Sequence, residues 1–324
     1  MNSQTESILF IGNGEWSRKV SNILVASESR LKPVVFFALL LVGIASIACA
    51  PEGREGVVET QFASYWYKGT AEVNVFDLQQ SRYGELRQGK AVMIFVTEDF
   101  SKSKQVKLDA PEDRPSDAQK VLKLNMTREF VTGVYPYHTM LSVFTPVYEE
   151  SPAPKLTASV TEWCGQSFTQ LNYKNGKYTA KQFSYFESEG DLESKVDGKT
   201  EEELFTLLRL NPNLVPLGNV ILIPSLIFQR FAHIPLKGEQ ATVSRKALGS
   251  DQAELTVVYG EIGRKIAIRY QQLFPYEIMG FTETWTKANG QQEVTTATRI
   301  HLRQLPYWKQ NEKVYESLRK ELGL

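Results

Sequence analysis

The chain has only two cysteines, Cys49 and Cys164, in 324 residues. That excludes a disulfide scaffold or a cysteine-rich zinc module, because either needs several thiols at fixed spacing. Histidine is nearly as scarce. His138, His233 and His301 stand singly on different segments, and without an HxH or HExxH spacing no two imidazoles are set to share a zinc ion. An excess of one charge is also missing: Lys plus Arg and Asp plus Glu number 37 each. No bulk positive potential gathers phosphates, and no nucleic-acid partner is expected. The rest of the composition is that of a globular chain, with 42% hydrophobic residues, 17 Phe and 14 Tyr, which excludes disorder as the main state.

Familiar catalytic motifs are incomplete. Gly198-Lys199-Thr200 ends like a P-loop, but the glycine required five positions earlier is Glu193, so the phosphate cradle is absent. Gly165-Gln166-Ser167 begins like a nucleophile elbow, yet Thr169 stands where the second glycine permits the sharp turn. Cys164 is a candidate nucleophile for a hydrolase if the strand bearing His138 supplies a base. The other reading is a small apolar residue buried in a strand. The acidic pairs Glu98/Asp99 and Glu149/Glu150 read as solvated loop residues rather than glycosidase carboxylates. No catalytic residue, cofactor or metal is therefore expected.

One window departs from the average composition. Pro33 to Ala48 is an uncharged apolar run preceded by Arg30 and Lys32 and ended by Cys49. It is shorter than the roughly 20 residues of a spanning helix and close to a signal-peptide core. The ending Ser46-Ile47-Ala48-Cys49 resembles a bacterial lipobox, although Ser46 stands where the motif usually has an aliphatic residue. The resemblance implies cleavage before Cys49 and lipidation of its thiol, and Ala50 after it fits outer-membrane sorting. An uncleaved anchor or a buried helix is the alternative, and an unmodified Cys49 could instead bridge to Cys164. Within the long polar stretch 1–29, Ile23 to Lys32 weakly resembles the N-terminal motif of Maf-type nucleotide pyrophosphatases. The proline before Arg30 is missing and Leu31 replaces the second arginine, so that activity is not carried over.

The expected organisation is an N-terminal extension and signal peptide over 1–48, a lipidated tether over 49–56 and a first β-rich lobe over 57–187. A helical connector or lid follows over 188–237, then a second β-rich lobe with a C-terminal amphipathic helix over 238–324. Period-two alternation supports the lobes, from Ala71, Val73 and Val75 through AVMIFVTEDF to the strands around Asn175-Gly176, a strong hairpin signal. Gln105 to Leu108 is a further strand candidate. Thr200 followed by Glu201 to Glu203 marks a helix start, with Leu204, Leu207, Leu208 and Leu210 as its apolar face. Pro216 and Pro224 argue against one membrane helix over Leu214 to Phe231. Leu305, Trp308, Val314, Tyr315, Leu318 and Leu322 suit a final helix. The fold class is mainly β (α+β), with two curved antiparallel lobes.

Aromatic clusters at Tyr65-Trp66-Tyr67, Tyr135-Pro136-Tyr137, Tyr185-Phe186 and Tyr307-Trp308 offer rings to a core or to a cavity for an acyl chain or sugar. The candidate ligand- or partner-binding residues are Trp66, Tyr137, Trp163, Tyr185, Phe228 and Trp308. The lipobox, the stretch YWYKGTAEVNVFDLQQSRYGELRQGKAVMIFVTEDF, EWCGQS and ATRIHLRQLPYW together resemble a family of uncharacterised bacterial envelope lipoproteins, some labelled septum formation inhibitor Maf. The resemblance implies a lipid-anchored envelope protein, in the outer membrane facing the periplasm, and brings no catalytic motif. The expected function is non-enzymatic: binding a lipid or other amphiphile, or an envelope partner, through curved sheets. The alternatives are a scaffold for an outer-membrane protein complex and a cysteine hydrolase using Cys164.

Overall fold

The computed structural model describes residues 59–324, which lie within the unit Cys49–Leu324. The signal-peptide reading and Cys49 lie outside the described residues. The chain enters as α1 (Glu59–Trp66), a two-turn helix because Phe62 and Trp66, four residues apart, share one face and are both buried. Hairpins follow in sequence: β1 (Ala71–Arg82), β2 (Glu85–Ser101), β3 (Ala118–Thr132), β4 (Tyr135–Pro146), β5 (Lys155–Glu162), β6 (Gly165–Lys174), β7 (Lys177–Ser184) and β8 (Leu192–Val196). Asn175-Gly176 joins β6 to β7 with φ of 56° and 83°, the left-handed pair that a two-residue hairpin turn demands. The expected strand over Gln105 to Leu108 is instead a loop touching Phe100 through a single bridge at Lys107.

The middle of the chain holds β9 (Lys199–Thr200), α2 (Glu203–Leu210), β10 (Gly218–Ile223) and α3 (Leu226–Ala232). It is therefore only partly a helical connector. Pro216 and Pro224 fall between elements, where their missing N–H groups break no ladder. The last stretch forms β11 (Glu239–Ala247), β12 (Gln252–Tyr259), β13 (Arg264–Gln271), β14 (Ile278–Thr286) and β15 (Gln292–Leu305).

The expectation of two lobes is corrected. All fifteen strands among the described residues belong to one sheet, ordered β8-β7-β6-β5-β4-β3-β2-β1-β15-β14-β13-β12-β11-β10-β9 and antiparallel except where β9 meets β10. The two halves join through β1 and β15, which pair from Ala71↔Leu305 to Gln79↔Thr296. The two edge strands β8 and β9 are separated in sequence only by Asp197 and Gly198, a link that spans at most about 11 Å. The sheet must therefore curl until its edges nearly meet. That link packs tightly on the entry to β11: a Cβ at Gly238 would lie 2.4 Å from the Asp197 carbonyl oxygen and 2.8 Å from Ile221 of β10.

A ring of this many strands encloses more space than its own side chains fill, and the two helices occupy it. Every residue of α2 is buried, not only the leucine face. Its Phe205 packs edge-on against Phe281 of β14 at 5.9 Å, and its Thr206 hydroxyl meets that of Thr145 on β4 at 2.6 Å. In α3, Phe231 reaches Tyr137 of β4 while Phe228 reaches Trp285 of β14. Both helices thus bridge opposite walls. The expected C-terminal helix is also corrected: after Pro306 the chain makes two short 3₁₀ turns and only then α4 (Glu316–Glu321).

Candidate functional site

The C-terminal segment returns over the outer face of the sheet and leaves a groove beneath it. On that face the register places Val73 beside Ile94, Val75 beside Val92 and Asp77 beside Lys90, with Thr127 next to Val92. Strand β2 carries apolar residues at both alternating positions from Ala91 to Val96, so its outer side needs cover as much as its inner side does. The cover is supplied by Leu305, Tyr307, Leu318 and Leu322, the last two one helical turn apart. Gly323, at φ 74°, brings the end of the chain against Ile300 and His301. The groove has a volume of about 460 Å³, within the range of small-molecule sites. Its floor is Val73, Val92 and Ile94, and its rim carries Lys90, Lys313 and Arg319 with Glu129, Glu312 and Glu316. Burial, and then the Glu98 carboxylate, push the Tyr307 hydroxyl above its ordinary range.

The interior is charged as well as packed. Glu201 at the start of α2 accepts from Arg264 of β13, with Nε at 3.0 Å. Arg264 and Arg128 share Glu283, Arg128 through both terminal nitrogens at 2.9 Å. Burial pushes the Glu283 carboxyl up, but the two guanidiniums outweigh it and hold the group at about 2. Glu202 accepts from the Leu226 N–H at 2.7 Å, and Glu203 accepts from the Ala153 N–H at 3.0 Å. At the other end of α2, Arg209 donates to Glu72 of β1, which also accepts from Tyr65. Acids at the N-terminus and a cation at the C-terminus match the helix dipole. The plug is fastened to the wall at both ends.

The aromatic residues singled out in the sequence are not gathered in one place. Trp66 and Tyr137 are core, each 2% exposed, and Phe228 is buried under Trp285. Trp308 is exposed beside Tyr307, outside the groove lining. Trp163 and Tyr185 are exposed at one end of the sheet. There the β1–β2, β3–β4 and β5–β6 turns align, because their closing pairs are Arg82↔Glu85, Thr132↔Tyr135 and Glu162↔Gly165. Tyr83 and Val134 are exposed at the same end. Trp163 stacks on Tyr135, whose hydroxyl donates to Tyr83 at 3.4 Å.

Cys164 is exposed and free in the β5–β6 turn rather than buried. Its hydrogen bond to the Glu162 carboxylate is the main cause that raises its thiol above the ordinary range, the reverse of what a nucleophile needs. His138 stands beside Glu129 at 3.9 Å and makes no hydrogen bond to Cys164 among the described residues.

The residues of the groove floor were not singled out by sequence reasoning. The apolar run across both faces of β2 was the available sign, since an antiparallel strand with one face in water alternates.

These observations define a class: a mainly β protein whose single antiparallel sheet curls into a barrel-like ring, filled by two short helices and grooved under its C-terminus. No family model and no curated protein matches the chain. Among solved structures it is similar to a β-barrel-like protein of a domain of unknown function, DUF1849, from Brucella abortus. The identity is 10% and the TM-score 0.44, with 72% of this chain and 98% of that chain covered.

Proposed function

We propose that this chain is a lipid-anchored protein of the bacterial cell envelope, tethered through Cys49 to the outer membrane and facing the periplasm, that holds an amphiphile in the outer groove without catalysis. The anchor rests on the lipobox-like sequence. The binding rests on one observation: an apolar-floored groove of about 460 Å³ beneath a short terminal segment, rimmed by both cations and carboxylates. An acyl chain there gains about 0.8 kcal/mol per buried CH₂, and the mixed charges of the rim suit a polar head. The groove, rather than the ring interior, is the reading favoured, because α2 and α3 fill the interior.

The test is fluorescence titration of the purified chain with 11-(dansylamino)undecanoic acid. The wild type is expected to show saturable enhancement. Ile94→Trp, which fills the floor, should weaken uptake at least tenfold with little change in melting temperature. Wild-type uptake by a folded Ile94→Trp variant would remove the groove as the site.

A second reading, the scaffold of an outer-membrane complex, is favoured by the exposed rim of Tyr83, Val134, Trp163 and Tyr185, since clustered aromatics are common anchors at interfaces. Cross-linking of the chain to an outer-membrane protein should then be lost in a Trp163→Ala/Tyr185→Ala variant. Cross-linking that survives the double change would dismiss the rim as the contact.

A further inference from the structure

A second, smaller cleft lies inside the ring, where β1, β3, β14 and β15 face α3 near the turn-bearing end of the sheet. We infer that this cleft binds a small aliphatic carboxylate of acetate size, through Arg82, Arg128 and Thr295. The inference does not depend on the outer groove.

The cleft is built from groups that can donate and lack acceptors. Arg82 lines it and is 9% exposed, yet among the described residues it has no ion-pair partner. Its terminal nitrogens donate to the Phe231 carbonyl at 2.8 Å and to the Tyr137 hydroxyl at 3.5 Å. The guanidinium is framed by the Tyr83 and Phe231 rings at 4.4 and 4.6 Å. Its Nε is buried without an acceptor, and so is the Nε of Arg128, whose terminal nitrogens are engaged by Glu283. The Thr295 Oγ1 accepts from the Ser81 N–H at 3.0 Å and the Gln80 amide at 2.9 Å, which leaves its own O–H to donate.

The carboxylates that line the cleft are already held. Glu283 sits between Arg128 and Arg264, and Glu293 is bound by Lys287. The uncompensated charge is therefore that of Arg82. A buried guanidinium without a counter-ion is costly, and an incoming carboxylate offsets that cost. The free volume is about 40 Å³, room for a group of a few atoms. Phe228, Phe231 and Trp285 form the walls, which suit a single methyl group beside the carboxylate.

The test is calorimetric titration of the full chain with acetate, with inorganic phosphate as the competing anion. Saturable one-to-one binding is expected, weakened at least tenfold in Arg82→Gln and unchanged in Ile94→Trp. If Arg82→Gln fails to fold, Thr295→Val should weaken acetate several-fold while leaving every guanidinium in place. The inference is overturned by a wild type that takes up no acetate, or by phosphate displacing acetate at equal concentration. Wild-type affinity in a folded Arg82→Gln or Thr295→Val variant, or loss of binding in Ile94→Trp, would overturn it too.

Discussion

Replacing Arg209 by methionine is expected to lower folding stability by about 3–5 kcal/mol, read as a fall in the urea midpoint at constant slope. Arg209 and Glu72 are both fully buried, and their ion pair fixes the C-terminal end of α2 to β1. With the guanidinium gone, the Glu72 carboxylate keeps only the Tyr65 hydroxyl and the Asn74 amide, at 2.8 Å, as side-chain donors. Burial, and then the Glu72 charge, push the Tyr65 hydroxyl above its ordinary range, so it remains a donor and cannot supply the missing positive charge. The guanidinium also lies over Trp66 at 5.1 Å and Phe95 at 5.3 Å, contacts that the methionine side chain partly replaces. The loss is therefore chiefly electrostatic. Glu72→Gln combined with Arg209→Met should recover more than half of it, because neutralising both partners removes the stranded charge. If the double variant is no more stable than Arg209→Met alone, the cost lies in packing and the ion-pair account fails. Total stabilities of about 5–15 kcal/mol are usual for domains, so the single change alone can bring the chain close to unfolding.

Local order was legible in the sequence and closure was not. The hairpins from β1 to β7 and from β11 to β15 follow from alternation and from turn residues such as Asn175-Gly176, signals contained in about 20 residues. The pairing of Ala71–Arg82 with Gln292–Leu305 joins strands more than 200 positions apart, and nothing local announces it. Two separate lobes were the reading that such local signals favour. The helix start at Thr200 was legible from its acids. That α2 would be buried all round was not, because the partners that allow Glu201, Thr206 and Arg209 to be buried lie on β13, β4 and β1. At the C-terminus, Leu318 and Leu322 of the expected apolar face line the groove, whereas Val314 and Trp308 are exposed. The intervening Gln310-Asn311-Glu312 carries no apolar residue to pack on the sheet, and the helix shrinks to a short α4. Among the candidate site residues, Trp66 lies in the core because it ends a helix whose other buried residue is Phe62. The arginines of the inner cleft had a sign in the sequence: Arg128 alternates with Met126 and Phe130, which places its charge on the buried side of β3.

Two buried carboxyls bend the pH dependence of stability in opposite directions, and Glu202→Gln separates them. Burial, and then the neighbouring Glu201 charge, raise Glu202 from an ordinary value of 4.5 to about 8. One carboxyl oxygen accepts from the Leu226 N–H, and the other is buried without a partner, the pattern of an acid that keeps its proton at neutral pH. Between about pH 4.5 and pH 8 the folded chain then holds a proton that the unfolded chain has released. Stability contributed by Glu202 is complete below 4.5 and is lost as pH rises through about 8. Glu283, held at about 2, works the other way: its contribution is present above 4.5 and is lost as pH falls through about 2. At about 1.4 kcal/mol per pKa unit, the Glu202 contribution reaches a few kcal/mol across its window. Glutamine keeps the acceptor for Leu226 and removes the titrating proton. Glu202→Gln should therefore melt near the wild type at pH 5 and clearly above it at pH 8.5, while its decline below pH 4, set by Glu283, stays unchanged. Parallel melting curves from pH 5 to pH 8.5 would mean that Glu202 is ionised in the folded protein. The N-terminal end of α2 would then be held to α3 by a buried charge rather than by a neutral acid.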